Sequence, residues 1–498
     1  MKIKASLLNL FNVIFILTIL FIIKLAIFNG SIFLKIDSLT LIVLLILGII
    51  GAVIINVVIN KLSHKKYKYI VFILFGIILT LQIVIAKELT VFPEWDFGVV
   101  FYQAEELVNK TGEISSYFYE MYPNNYAILF IMTMLFKILK MFSLDFLKGG
   151  ILFNIIIIDS TLFLVYIISK KLYGPKTAIL SLMLAVFITP FYMYSPIIYT
   201  DTISMPFPLI MILCYLKAKD KEGAKRLLYI FVGAVFMSLG ILIKTNIVIF
   251  AIAIVIYDIL TNKNIRKCIL NVCIIASTIL MVNTAFNMYL DNISPLKKSE
   301  RGYPATHWIM MGLAGNGQYN PADVEFTESL PSKEIRKSET KKEIKKRLSD
   351  YGVQGYLSFL DNKIKFTWSD GTMFSIEKLS RNPKEITQLH QYITGDKKYI
   401  FVYLSQVGYL IMLISILIGA IRIFKNKKTQ GYLFNITIFG VFLFLILWET
   451  RSRYLVCFLG VFMLFASNGI FEVNKYINKI QTKGDAYGKQ SGRTYKYN

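Results

Sequence analysis

Residues 39–60 read LTLIVLLILGIIGAVIINVVIN without a single charge, and residues 268–290 and 401–421 repeat the pattern. Each run is about the 20 residues that an α-helix needs to cross roughly 30 Å of hydrocarbon, and is far too long for a strand. Working outward, apolar spans lie near 7–28, 38–60, 70–88, 149–169, 176–194, 202–217, 227–243, 246–261, 268–290, 399–421, 431–448 and 454–472, about twelve crossings. Of the 498 residues, 55% are apolar and 17% charged, more apolar surface than a soluble core of this size can hide. The expected fold is an all-α polytopic membrane bundle. A disordered chain, a secreted disulfide scaffold and a DNA-binding protein are excluded.

The balance of 55 basic against 31 acidic residues leaves +24, and topology accounts for most of it. Short connectors rich in Lys and Arg stay in the cytoplasm. Here they are 1–4, 61–68, 170–176, 217–226, 263–267, 422–428 and the tail from Lys475, and twelve spans put all of them on one side. Both termini are then cytoplasmic. The start MKIK resembles a secretory signal, but its apolar run outlasts a signal core and no A-x-A site follows, so it reads as an uncleaved first span. Residues 126–142 break the pattern, because counting them as a span would place 169–176 outside. They are expected to form a helix lying along, or dipping into, the outer face.

The chain thus divides into an N-terminal hairpin (1–69), a core (70–290) with a first outer loop (89–148), an extracytoplasmic region (291–396), C-terminal helices (397–474) and a basic tail (475–498). The extracytoplasmic region, counted from Asp291, carries 16 basic and 14 acidic residues and escapes the charge rule by its length. Within it, 333–347 alternates Lys and Glu at helical spacing, as a solvated helix does. Cys214, Cys268, Cys273 and Cys457 show no C-x-x-C spacing and read as small core residues. No internal repeat of a transporter type is visible.

Polar and aromatic residues gather on the outer face, where all four tryptophans fall: Trp95, Trp308, Trp368 and Trp448. FPEWDFG (92–98) places Glu94 and Asp96 where the chain leaves the membrane. A carboxylate there is either merely solvated or able to take a proton from a hydroxyl. Next come a polar stretch, 103–119, and YPNNY (122–126) with Tyr122, Asn124 and Asn125. Asp201 opens a span rich in Thr, Ser and Pro, where it can cap the helix as well as act.

Lys244, and the pair Arg451 and Arg453, stand at tight helix junctions on the same side. Positive charge near lipid is costly without an anion. A phosphate suits it, as does pairing with Glu449 or snorkelling to headgroups. His307 and Trp308 belong to RGYPATHW (301–308), ahead of a Gly-rich loop (310–320) suited to stacking on a sugar face. His307 also fits a structural role. No phosphate loop for a nucleotide is present. Asp159, alone in mid-span, is a functional suspect that Asn154 or Ser160 would satisfy in a helix contact.

Taken in order, Trp-Asp (95–96), Tyr-Pro-Asn-Asn (122–125), Lys-Leu-Tyr-Gly (171–174), Tyr-Thr-Asp (199–201), Lys-Thr (244–245) and Arg-x-Arg-Tyr (451–454) resemble the GT-C superfamily of integral-membrane glycosyltransferases. The resemblance spans roughly residues 70–470. It is nearest the bacterial branch related to protein O-mannosyltransferases and aminoarabinose transferases, family 39. It implies transfer of a sugar from a polyprenyl-phosphate donor to a hydroxyl of a cell-envelope glycan or protein, outside a bacterial plasma membrane, with inversion. Asp96 would be the base, Asp201 the second outer acid, and Lys244, Arg451 and Arg453 the partners of the lipid phosphate. Glu94, Tyr122, Asn124, Asn125, His307 and Trp308 would line the substrates. Glu94-Trp-Asp96 is not a D-x-D, so no metal or other cofactor is expected, and two extra spans precede the family's first. No nucleic-acid partner is expected. A transporter, flippase or polymerase of lipid-linked glycans is the competing expectation.

Overall fold

In the computed structural model, which describes residues 2–110, 112–262, 264–426 and 431–491, helices carry the whole architecture. The connector residues Lys263, Lys427 and Lys428, and the end of the basic tail at 492–498, lie outside the described residues. Among the described residues nine helices are long and apolar enough to span a membrane, and three shorter apolar helices complete the twelve expected.

The first three are α1 (Lys2–Phe28), α2 (Ser38–Lys61) and α3 (Tyr67–Glu88). Two amphipathic helices follow, α4 (Trp95–Asn109) and α5 (Tyr126–Met141). α5 buries Leu129, Met132 and Phe136, packs along α4, and leaves Met134, Ile138 and Met141 exposed on its other, equally apolar face. The core continues through α6 (Phe146–Tyr173), α7 (Pro175–Phe187), two single turns, α8 (Pro190–Met193) and α9 (Thr200–Ile203), then α10 (Pro206–Lys219), α11 (Gly223–Ile243), α12 (Val248–Thr261) and α13 (Ile265–Ile293).

Between α13 and the next long span the chain forms an outer lobe of α14 (Ala305–Met311), α15 (Pro321–Glu328), α16 (Lys333–Trp368) and α17 (Ser375–Ser380). α18 (Lys398–Asn426), α19 (Tyr432–Leu447) and α20 (Leu459–Ser491) close the bundle. The charged stretch of α16 is mostly exposed, as its pattern implied, with Thr340 buried on its inner side. Its Arg347 grips Asp323 of α15 at 2.6 Å, which ties the helix into the lobe before it kinks at Gly352.

The basic connectors do meet on one face. Lys176 donates to the Asn60 carbonyl at 3.3 Å, Lys171 pairs with Asp220 at 2.6 Å, and Lys267 faces Glu222 at 3.7 Å, which joins four turns far apart in sequence. Asp159 and Cys273 depart from their expected neighbourhoods. Asn154 does not serve Asp159. Its amide donates to the carbonyls of Tyr194, Ser195 and Ile197, and the group beside Asp159 is Gln82 of α3. Cys273 is exposed on α13 and is not packed in the core.

Buried amides bolt α1 to the last spans: Asn12 donates to the Ala420 carbonyl at 2.9 Å and accepts from Asn435 at 2.5 Å. Asn12→Ala should leave both groups short of a partner and cost about 1 kcal/mol, read as a lower melting temperature of the detergent-purified protein.

Candidate functional site

The ends of α4, α9 and α11 on the face away from the basic connectors converge with the turn at 452–458. α4 begins on a strained start: Trp95 has φ of 49°, and its turn closes because Gly98, donating to the Glu94 carbonyl, brings no side chain against the Pro93 carbonyl, which a Cβ would meet at 2.8 Å. Asp96 therefore projects from the first turn. Its Oδ1 accepts from the Tyr117 hydroxyl at 2.8 Å, that hydroxyl accepts from the Asn125 amide at 2.6 Å, and Asn125 Oδ1 accepts from Tyr199 at 3.1 Å. Each donor is committed in one direction, so the chain of bonds ends on a carboxylate held as an acceptor. Burial and the Asp96 charge push the Tyr117 phenol up and keep it protonated.

Asp201 has a different setting. Its Oδ1 lies 2.6 Å from Lys244 Nζ, with side-chain exposures of 2% and 13%. Arg453 couples the two acids. It approaches Asp96 Oδ2 at 3.8 Å and feels the Asp201 charge as well. Asp96 is 30% exposed and Arg453 10%. The nearly sealed acid is already paired, while the accessible one meets its cation only at long range.

Several donors here are orphaned. Arg453 Nε and Nη1 and Arg451 Nε are buried without a hydrogen-bond partner, as is Asp201 Oδ2. Such groups are costly to leave bare, and an anion supplied from outside would satisfy the guanidinium donors. Glu449 is not that anion. It accepts from the Tyr454 hydroxyl at 2.7 Å, and burial pushes its carboxyl up.

The outer lobe forms one wall. Lys378 of α17 lies 3.5 Å from the centre of the Trp95 ring, and the Arg453 guanidinium lies 5.0 Å from the same ring. Burial, with Arg453, Arg381 and Arg451 nearby, pushes Lys378 down to about 5. Asp370 builds the turn that delivers it, accepting from Thr372 N, Phe374 N and Ser452 Oγ at 3.0, 2.9 and 3.0 Å. Met373 and Phe374 adopt positive φ there, and Arg451 packs over the Phe374 ring.

Asp96, Asp201, Asn125, Lys244, Arg451 and Arg453 thus come together. The Tyr122 ring lies tilted against Tyr117, with centroids 4.7 Å apart, and 5.6 Å from the Trp308 ring, which extends the site toward the lobe. Asn124 supports Asn125 at 3.2 Å from an exposed position. Glu94 is exposed and makes no capping bond. His307 is sealed within the lobe, bonded to Thr327 at 2.6 Å and pushed down to about 4 by burial. Tyr117, Asp370 and Lys378 were not singled out from sequence, and Tyr199 entered only as the first residue of Tyr-Thr-Asp (199–201). The Ser-Asp-Gly-Thr run at 369–372 is a turn signature that points to Asp370; nothing local marks Lys378. Among the described residues no three His, Cys, Asp or Glu side chains gather as metal ligands, and a cation already stands beside each acid.

A family described as conserved hypothetical integral membrane protein matches residues 1–472. The chain belongs to this family. Comparison with curated proteins returns no match. Among solved structures this family member is similar to the archaeal oligosaccharyltransferase AglB from Archaeoglobus fulgidus in complex with an inhibitory peptide and a dolichol-phosphate, at 13% identity and a TM-score of 0.47 over 85% of the chain. It is also similar to the Archaeoglobus fulgidus oligosaccharyltransferase tethered to an acceptor peptide, at 12% identity and a TM-score of 0.45 over 84% of the chain. The chain spans about half of those proteins, 52% and 51%.

For this integral membrane protein, Asp201→Asn should strand Lys244 in a buried site and destabilise by about 3 kcal/mol. Asp201→Asn with Lys244→Met should recover part of that loss in thermal melts of the purified protein.

Proposed function

We propose that the protein is a membrane glycosyltransferase that moves a sugar from a polyprenyl-phosphate donor to an acceptor hydroxyl at the face carrying Asp96. The observation that carries this reading is the pairing of an accessible, donor-oriented carboxylate with two guanidinium groups whose buried Nε atoms, and Nη1 of Arg453, lack hydrogen-bond partners. The GT-C resemblance of the motifs agrees with it.

Asp96 takes the proton of the acceptor hydroxyl. The acceptor oxygen bonds to the anomeric carbon while the bond from that carbon to the phosphate oxygen breaks, and the electron pair leaves with the phosphate. The two oxygens occupy opposite sides of the carbon, so the configuration inverts. Arg451, Arg453 and Lys244 stabilise the charge that grows on the phosphate. Asp201 keeps Lys244 in place. The donor's tail stays in lipid, which accounts for a site built at the bilayer boundary.

A strain lacking the gene should lose one sugar from an envelope polymer or surface protein by mass spectrometry. The wild-type gene should restore it, whereas Asp96→Asn should lower transfer by at least about 100-fold at equal membrane abundance. Full activity of that variant would remove Asp96 as the base.

The Lys378 amine, neutral at pH 7 because its value sits near 5, should gain a proton when a phosphate arrives. Titrating a polyprenyl monophosphate by calorimetry in buffers of different ionisation enthalpy should show net proton uptake, and Lys378→Met should abolish it.

A further inference from the structure

α11 starts at Gly223 and ends at Ile243 beside Lys244, so its first turn stands roughly 30 Å from the acid pair, at the opposite face. There the ends of α10, α11, α12 and α13 enclose a cavity of about 270 Å³. Four cations line it: Lys219, Lys221, Arg226 and Lys267. Its floor is Asp258, a buried carboxylate that accepts from Tyr215 at 2.6 Å, Asn271 at 2.9 Å and Asn262 at 3.3 Å. Neutral donors, the Cys268 thiol among them, occupy Asp258, and among the described residues no cation pairs with it.

The cations are correspondingly free. Arg226, itself buried, donates to the Asn271 side chain and to the Lys267 carbonyl, neither of them charged. Lys219 donates to the Tyr257 hydroxyl at 3.1 Å and lies 5.0 Å from the Tyr215 ring. The ion pair of Lys267 with exposed Glu222, at 3.7 Å, is a weak surface contact. Four positive charges stand against Asp258, Glu222 and Asp220, and Asp220 is also paired with Lys171, so an excess remains that suits an anion. At the same height α11 and α13 expose Leu228, Ile265 and Ile269, so the cavity opens where helix sides meet hydrocarbon.

We propose that this cavity binds the phosphate of an anionic lipid headgroup, held by Arg226 and Lys219 with Lys221 and Lys267 at the rim. The site is independent of the chemistry at Asp96. Lys219 and Lys221 are exposed, so their replacement leaves the core intact.

Native mass spectrometry of the full-length protein in detergent should show retention of short-chain phosphatidic acid and none of phosphatidylcholine. Lys219→Gln with Lys221→Gln should weaken retention roughly tenfold or more. Lys87→Gln, which removes an exposed charge at the other face, should leave it unchanged. Equal retention by the double variant, or an equal loss from Lys87→Gln, would overturn the site. Displacement of the lipid by millimolar inorganic phosphate would overturn the lipid assignment and make the ligand a soluble phosphate.

Discussion

A lysine ammonium 2.6 Å from a carboxylate with almost no exposure is the constraint on which the rest of the site depends. Removing both ions from water is expensive, and the attraction repays that cost only if neither partner moves. Lys244 is fixed because α11 ends one residue before it and a tight 3-10 turn, Thr245–Ile247, follows. Asp201 is fixed because α9 is a single turn packed against the 452–458 segment. That segment carries Arg453. The pair therefore sets where the guanidinium can lie, and the guanidinium in turn leaves Asp96 facing open space.

Such a site requires backbone that is not continuous helix at membrane depth, which lipid does not tolerate unless protein satisfies the freed groups. Residues 188–205 are this kind of stretch, broken into α8 and α9 by two turns. Asn154 resolves the difficulty from α6, one amide serving three carbonyls of the broken stretch. Tyr194 adds a bond from its hydroxyl to the Met373 carbonyl at 2.6 Å and ties the break to the outer lobe. A polar residue in mid-span is thus a support for irregular backbone. Gln82 follows the same logic, donating to the Phe191 carbonyl at 3.1 Å.

The sequence made the spans legible because a charge-free run longer than 18 residues has few other physical meanings, and the basic turns then assigned each end to a face. Asp96, Asp201, Lys244 and Arg453 were legible for a related reason: an ionisable group where a helix meets lipid requires an explanation. What stayed hidden depends on contacts across hundreds of residues. Asn154 was read as a neighbour for Asp159 on its own helix, since nothing in the chain shows which carbonyls will lack donors. Lys378 is one of 16 basic residues in a long connector, and only folding places it over Trp95. Cys273 looked like core because composition cannot separate an exposed side of a helix from a packed one.

The outer lobe is consequently part of the site and not a cover laid over it. Trp308 accepts from the Glu449 backbone amide at 3.2 Å, Thr450 N donates to the Gly317 carbonyl at 2.7 Å, and Gly312 leaves room for the Trp448 carbonyl, which a Cβ would meet at 2.8 Å. The 448–450 strand of chain that introduces both arginines is therefore hydrogen-bonded to the lobe before the 452–458 turn begins. Asp370 makes the same connection from the other side through Ser452. With positive φ at Trp95, Met373 and Phe374, the strain lies on both sides of one interface. Strain of this kind persists only where the surroundings over-determine it, and these lobe contacts are what over-determine it here. The lobe holds Asp96 and the arginines in register, so their geometry is already formed and the cost of ordering it is met in folding.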